Sequence, residues 1–223
     1  MTREEALQRI ERVSNKKLMH LDLSWLKLKE LPPEIVNCTH LTRLFLGDNQ
    51  ITCIPETIGQ LPNLTELHLS DNQITQIPEV LGQWSSLKQL FVPRNQITSI
   101  PEALGQLSNL TVLYLSDNQI TSIPEALGQL SNLIFLGISD NQITSIPEAL
   151  GQLSNLRGLN LSGNQITSIP EVIRDMEKLE KLDLRGNPLP IPPEILQGER
   201  FHEPGDLRTI LDFYFQTHNP NNT

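Results

Sequence analysis

Five residues recur in a pattern that could build one contact surface: Phe45, His68, Phe91, Tyr114 and Phe135. The first four are spaced 23 residues apart, and Phe135 falls two positions earlier in the next interval. The chain has ten Phe, Trp and Tyr residues, so four of them in one pattern concentrates them on one face. Clustered aromatics on a solvent-facing surface serve as anchors for another macromolecule. Arg43, Glu66 and Val112 share that register and Arg94 lies just beyond it, so the expected chemistry is non-covalent capture of a protein or peptide. Catalysis has less to work with. His20 and His68 stand two intervals apart, roughly 10 Å by strand spacing, and no Ser or Cys sits at a strained elbow near them. His40, His202 and His218 have no ligand-like neighbours. The row Asp48, Asp71, Asp117 and Asp140 supplies one carboxylate per interval and no closed metal shell. Arg94, in the same row, is expected between Asp71 and Asp117, where it relieves repulsion along a solvated rim. No enzyme activity, cofactor or metal is therefore expected.

The elements that must position these residues are set by repetition. The segment from Asn95 to Leu110 returns letter for letter at Asn118–Leu133 and Asn141–Leu156, an offset of 23 residues. Self-similarity at such a period signals a solenoid. Each unit reads Leu-x-x-Leu-x-Leu-x-x-Asn-x-Ile-x-x-Ile-Pro, and openings fall at Leu18, Leu41, Leu64, Leu87, Leu110, Leu133, Leu156 and Leu179. Leu-x-Leu alternates with period two, which predicts a short strand with one face inward. The stretch Pro124–Leu130 suits one helical turn opened by Pro, with Glu125 at its positive end. Gly128 is expected at positive φ, ending that turn. The recurring Asn49, Asn72, Asn95, Asn118, Asn141, Asn164 and Asn187 sit between apolar neighbours. A buried amide needs partners, so these predict a ladder bonding the backbones of adjacent coils. The fold expected is an α/β solenoid, a horseshoe with a parallel concave sheet. Eight strands at ~4.8 Å make that sheet roughly 34 Å long.

Terminal coils need caps. Ala6, Leu7, Ile10 and Val13 follow Thr2 and Glu5, which resemble a capping box, and predict a helix over 2–14 within an N-terminal cap of residues 1–17. Repeats then occupy 18–198. In the first, Trp25 and Leu26 replace the usual Asp and Asn, and Trp25 is expected to pack in the cap. In the eighth, Pro192 takes an Ile position and Ile191 is displaced by one. Residues 199–217 predict a second helix, capped by Asp206, with Leu207, Ile210, Leu211 and Tyr214 on one face and Phe213 and Phe215 off it. Residues 218–223 are expected to be disordered.

Charge narrows the partner class. The formal net charge is −9. From Glu30 to Pro170 there are twelve acidic and four basic residues, a net of −8. Such a body repels phosphate backbones, which excludes nucleic acid and anionic membrane surfaces. No apolar run reads as a signal peptide or a membrane span. The two cysteines occupy unrelated slots: Cys38 a core position, Cys53 a polar one. Two free thiols suit a reducing, cytoplasmic setting, and the Asn-x-Thr triplets at Asn37, Asn63 and Asn109 are then chance matches.

The Leu, Asn and Ile-Pro positions resemble the leucine-rich repeat family, over about Leu18 to Leu196. The Ile-Pro ending resembles its 23-residue intracellular class. The segment Asn187-Pro188-Leu189-Pro190-Ile191-Pro192-Pro193-Glu194-Ile195, followed by Ile210–Phe215, resembles the N-terminal part of bacterial Roco proteins. In that family the helix leads into a Ras-like GTPase domain. The resemblance implies a signalling context and a downstream GTPase domain, although these 223 residues contain no Gly-x-x-x-x-Gly-Lys-Ser/Thr loop. Phe213 and Phe215 are then expected to be exposed, awaiting that domain. Two other readings stay open: a self-association module forming a homodimer, and the substrate-recognition part of a bacterial effector enzyme. The strands between the identical segments keep their apolar scaffold positions and vary at Val112, Tyr114, Phe135, Gly137, Gly158 and Asn160. Variation confined to the solvent face points to a surface diversified for recognition.

Overall fold

A computed structural model describes residues 2–198 and 203–217. The expected tail at 218–223, the Phe201–His202 pair and His218 lie outside the described residues, as does the side chain of Thr2. A helix α1 (Thr2–Lys16) leads into eight strands: β1 (His20–Asp22), β2 (Arg43–Phe45), β3 (Glu66–His68), β4 (Gln89–Phe91), β5 (Val112–Tyr114), β6 (Phe135–Gly137), β7 (Gly158–Asn160) and β8 (Lys181–Asp183). A short helix α2 (Pro193–Leu196) and a final helix α3 (Leu207–Thr217) follow. The strands form one parallel sheet in chain order. Register is a plain 23-residue shift, so Leu113 pairs with Leu136 and Tyr114 with Gly137. The middle Leu of each strand is buried and its two neighbours face the other way, as period two demands.

Each chain return between parallel strands runs over the convex side through a five-residue 3-10 turn such as Glu125–Gln129. Pro124 is itself extended (φ −70°, ψ 145°), and the Leu127 and Leu130 amides then bond to the Pro124 and Leu127 carbonyls. A 3-10 turn brings residues i and i+3 onto one face, so Leu127 and Leu130 both enter the core. Gly128 does not take positive φ as expected. Its role is close approach: a Cβ there would stand 2.4 Å from the Ala149 carbonyl oxygen of the next turn. Positive φ belongs instead to the residue before each ladder Asn, at Asp48, Asp71, Arg94, Asp117, Asp140, Gly163 and Gly186. Asp and Gly are among the residues that tolerate this conformation.

The asparagine ladder forms as expected. Asn118 is typical: its Oδ1 accepts the Ile97 amide at 3.0 Å, and its Nδ2 donates to the carbonyls of Val92, Leu115 and Ser116. A second ladder was not legible. Asn63, Asn109, Asn132 and Asn155 each donate to the carbonyl 24 residues earlier, on Thr39, Ser85, Ser108 and Ser131. The Asn of two of the Asn-x-Thr triplets is therefore a structural residue.

α1 runs two residues beyond the expected end. Lys17 adopts positive φ, and the Leu18 and Lys17 amides bond to the Val13 and Ser14 carbonyls, a Schellman closure. Leu18 thereby serves the helix end and is 40% exposed, not buried like the later openings. Ala6, Ile10 and Val13 cover the first coil, with Leu7 half-buried beside them. Trp25 does not pack in the cap; it is 75% exposed at φ +65°. At the other end Leu189 and Ile191 are both buried, so the displaced Ile still fills the last coil. Asp206 caps α3 by accepting the Thr209 amide and hydroxyl. Ile210, Leu211 and Tyr214 are buried. Phe213 and Phe215 are half-buried against the core, contrary to the expected exposure, and Arg174 lies 5.8 Å over the Phe215 ring.

Candidate functional site

The sheet's outer face carries the second and fourth residues after each opening Leu. Parallel register stacks like positions at the strand spacing, ~4.8 Å. Ring spacing follows it. The Phe45 and His68 rings are 4.7 Å apart and 26° from parallel; His68 and Phe91 are 4.5 Å apart and 14° from parallel. Tyr114 and Phe135 continue the stripe with centroids 6.0 Å apart at 13°. All five predicted members are brought together, half-buried by their mutual stacking and not fully solvent-facing.

Glu66 ties the stripe's upper end to its charged neighbours. One carboxylate oxygen lies 2.7 Å from His68 Nε2 and the other 3.2 Å from Arg43 Nε. Val112 is half-buried beside Tyr114 on the same strand. Beyond the stripe the face turns polar and self-satisfied: Asn160 accepts from Ser162, and Asp183 is forked by Arg185, with Nη2 to Oδ2 at 2.6 Å.

Gly137 and Gly158, which the sequence shows only as two of the varying outward positions, lie against these rings. A Cβ at Gly137 would stand 2.7 Å from Tyr114 Cδ2 and 2.9 Å from Phe135 Cε1. One at Gly158 would stand 2.8 Å from Phe135 Cδ2. The two glycines are the floor on which these rings rest. The signal available in sequence was a glycine in register one coil after each ring.

Along one edge of the face runs the rim of Trp25, Asp48, Asp71, Arg94, Asp117 and Asp140. Arg94 does not bridge two aspartates; its ion pair is with Asp71, at 3.4 Å. Burial, then the neighbouring Asp71 charge, push the Asp48 carboxyl up, and Arg94 pulls it back. The opposite edge holds Lys88, Arg157 and Lys178 around a groove with the second asparagine ladder. Arg157 is paired there with Glu180 and Lys178 with Asn155. His20 is exposed at the first strand, and the two cysteines are separate, Cys38 buried and Cys53 exposed. Among the described residues no three His, Cys, Asp or Glu side chains gather as a metal shell. None of the described helices is long and apolar enough to cross a membrane.

The family description "Leucine rich repeat" matches residues 85–143 and 136–189, and "Leucine-rich repeat region" matches residues 3–113. Comparison with curated proteins gives no match. Among solved structures, the chain is similar to the ectodomain of the plant membrane receptor kinase GASSHO1/SCHENGEN3 from Arabidopsis thaliana, in complex with Casparian strip integrity factor 2. That likeness has 36% identity over 74% of this chain and 21% of the other, with a TM-score of 0.67. It is also similar to an internalin of Listeria monocytogenes, at 32% identity over 77% of this chain and 48% of that one, TM-score 0.68. A leucine-rich repeat protein of Leptospira interrogans matches at 29% identity over 84% and 59%, TM-score 0.58. The chain thus spans between about a fifth and three fifths of the length of these structures.

Proposed function

The chain is built of leucine-rich repeats, and from that premise we propose that it is a protein-interaction module gripping a protein or peptide on its concave face. One observation carries the reading: five rings occupy outward positions of the sheet, which the core does not need, in two stacked groups, Phe45–His68–Phe91 and Tyr114–Phe135, joined where Phe91 and Tyr114 are register partners. Outward polar residues would satisfy the same strands without placing apolar area beside water. The similar Arabidopsis ectodomain is itself held in complex with a partner. Phe45, His68, Phe91, Tyr114 and Phe135 are the anchors, and Arg43, Glu66, Arg94 and Val112 border them.

The setting we propose is the recognition arm of a Roco-type GTPase in the cytoplasm. Its support is the Asn187–Ile195 segment and the Ile210–Phe215 helix. The half-burial of Phe213 and Phe215 means that α3 caps this solenoid by itself, so a following domain would dock on the remaining ring edges. The reading frame after Thr223 tests that setting: continuation into a Gly-x-x-x-x-Gly-Lys-Ser/Thr loop supports it, and an immediate stop codon removes it.

The concave reading is tested by quantitative co-purification. A partner retained by wild type is expected to be lost with Phe91→Ala and Tyr114→Ala, each removing about 2 kcal/mol or more at a central anchor. It is expected to survive Glu125→Ala on the convex side. Equal retention by all three variants refutes the concave reading.

A further inference from the structure

We propose that the partner is a positively charged, extended protein segment that runs along the solenoid axis, with apolar side chains on the aromatic stripe and cationic ones along the neighbouring rim. This rests on the concave face being the binding surface and adds the partner's charge and direction.

Direction follows from the shape of the stripe. It crosses β2 to β6, so four strand gaps of ~4.8 Å make it about 19 Å long, the reach of about six extended residues at ~3.3 Å each. The rim runs parallel to it. Phe45, His68, Phe91 and Tyr114 are each followed three residues later by a rim residue, Asp48, Asp71, Arg94 and Asp117. A chain lying along the rings therefore passes the rim at every coil.

Charge follows from what the rim contains beyond its conformational need. Each rim residue is left-handed, and Asn meets that need as readily as Asp. Over repeats two to six the rim nevertheless holds four aspartates and one arginine. Like charges one coil apart repel: at Asp48 burial first and then the Asp71 charge raise the carboxyl, against the pull of Arg94. Arg94 answers Asp71, while Asp117 and Asp140 are exposed and form no ion pair among the described residues. At the head of the same rim stands Trp25, whose exposed indole is the aromatic surface best suited to a cation. Opposite charge on the partner relieves this arrangement, and the chain's net charge of −9 steers the same class of partner toward it.

The test uses a display library of random peptides of about twelve residues, twice the span of the stripe, panned on the intact chain. Clones are re-screened against Phe91→Ala/Tyr114→Ala, against Phe135→Ser as a second stripe variant, and against Asp117→Asn/Asp140→Asn, whose Asn keeps the left-handed turn. Thermal melts confirm that each variant folds. Stripe-dependent clones are expected to carry more Lys and Arg than the unselected library, and to bind about tenfold more weakly to the rim variant. Stripe-dependent clones that are neutral or acidic, or indifferent to the rim variant, overturn the charge inference and leave the concave reading standing. An absence of stripe-dependent clones overturns both.

Discussion

Replacing Asn49 with Ala should cost at least twice what replacing Asn118 costs, although both occupy the same ladder position. Asn118→Ala removes four hydrogen bonds but orphans only one group. The Val92, Leu115 and Ser116 carbonyls keep partners in Asn95 Nδ2, Asn141 Nδ2 and the Arg94 amide. The Ile97 amide alone loses its acceptor, and one buried unsatisfied donor costs about 1–3 kcal/mol. Asn49 works harder because the first coil has Leu26 in place of its own ladder Asn. Its Oδ1 accepts both the Leu26 and Leu28 amides, and its Nδ2 serves the Leu23 carbonyl, which has no ladder Asn of its own coil to share. Asn49→Ala thus orphans two donors and one acceptor, roughly 3–9 kcal/mol at the same rate per group. Fraying of the first coil with α1 sets an upper bound on what unfolding registers. Urea titration gives the global comparison, and amide hydrogen exchange gives the local one: Ile97 should exchange faster in Asn118→Ala, and Leu26 and Leu28 in Asn49→Ala. Asn118→Asp separates acceptor from donor. It keeps an oxygen for Ile97 but sets a carboxylate among three carbonyls, so burial and repulsion raise its folded pKa above the ordinary ~3.9. A raised acid contributes its penalty as pH climbs past the unfolded value, so this variant should lie nearest wild type in acid and lose stability toward neutral pH. Equal losses for the two alanine variants, or an Ile97 amide as protected as before, would refute the ladder as the source of the stability.

Gly128→Ala should destabilise more than Gly59→Ala. The added methyl meets backbone at Gly128, the Ala149 carbonyl at 2.4 Å, but meets only the Val80 Cγ2 methyl at Gly59, at 2.5 Å. Overpacking costs about 1–3 kcal/mol, and the upper half of that range belongs to the site where a backbone must move; chemical denaturation of both variants decides it, and equal losses reject the close-approach account. Asp206→Ala should cost about 0.5–2 kcal/mol, the worth of an N-cap. The Thr209 amide and hydroxyl hold the Asp206 carboxyl below its ordinary range, so its contribution is present above the unfolded pKa and fades as pH falls through the folded one. The difference in melting temperature between wild type and this variant should therefore shrink in acid, and a difference independent of pH contradicts the cap.

The repeat made the fold legible because it fixes three things together: strand face, coil spacing and the buried amide. Register, sheet order and ladder all follow from Leu113, Asn118 and Leu127 recurring at one offset. The sequence reading went astray where a residue type has two uses. Glycine permits positive φ and also close approach, and Gly128 uses the second while Gly163 and Gly186 use the first. Leu18 reads as core by position, yet the Schellman closure of α1 claims it for the helix end. Trp25 reads as cap filler by bulk, yet the first coil has no preceding rim for it to cover. The stripe residues were legible from parity alone. Their glycine floor showed only as Gly137 and Gly158 in register after Tyr114 and Phe135, and its close approach to the rings depends on ring positions that parity does not fix.

The stripe's two halves differ in a way that the strand spacing explains. Parallel strands stand ~4.8 Å apart, close to the 4.5–4.7 Å between the Phe45, His68 and Phe91 centroids. Phe45, His68 and Phe91, at one position on adjacent strands, therefore stack face to face without adjustment, and this column hides ring faces while showing edges. Phe135 leaves that row by two residues. Its ring cannot join the column, so it lies beside Tyr114 across two coils, which is why the next coils carry Gly137 and Gly158 where any Cβ would intrude. The column resists rearrangement because each ring is held by its neighbours and Glu66 fixes His68. The Tyr114–Phe135 pair rests instead over Gly137 and Gly158, where no side chain stands beneath it. The segments Asn95–Leu110, Asn118–Leu133 and Asn141–Leu156 are identical while these outward letters change, because the ladder bonds only backbone and asparagine and leaves the outward positions outside its energetics. A solenoid of this kind can alter what it binds without altering what holds it together.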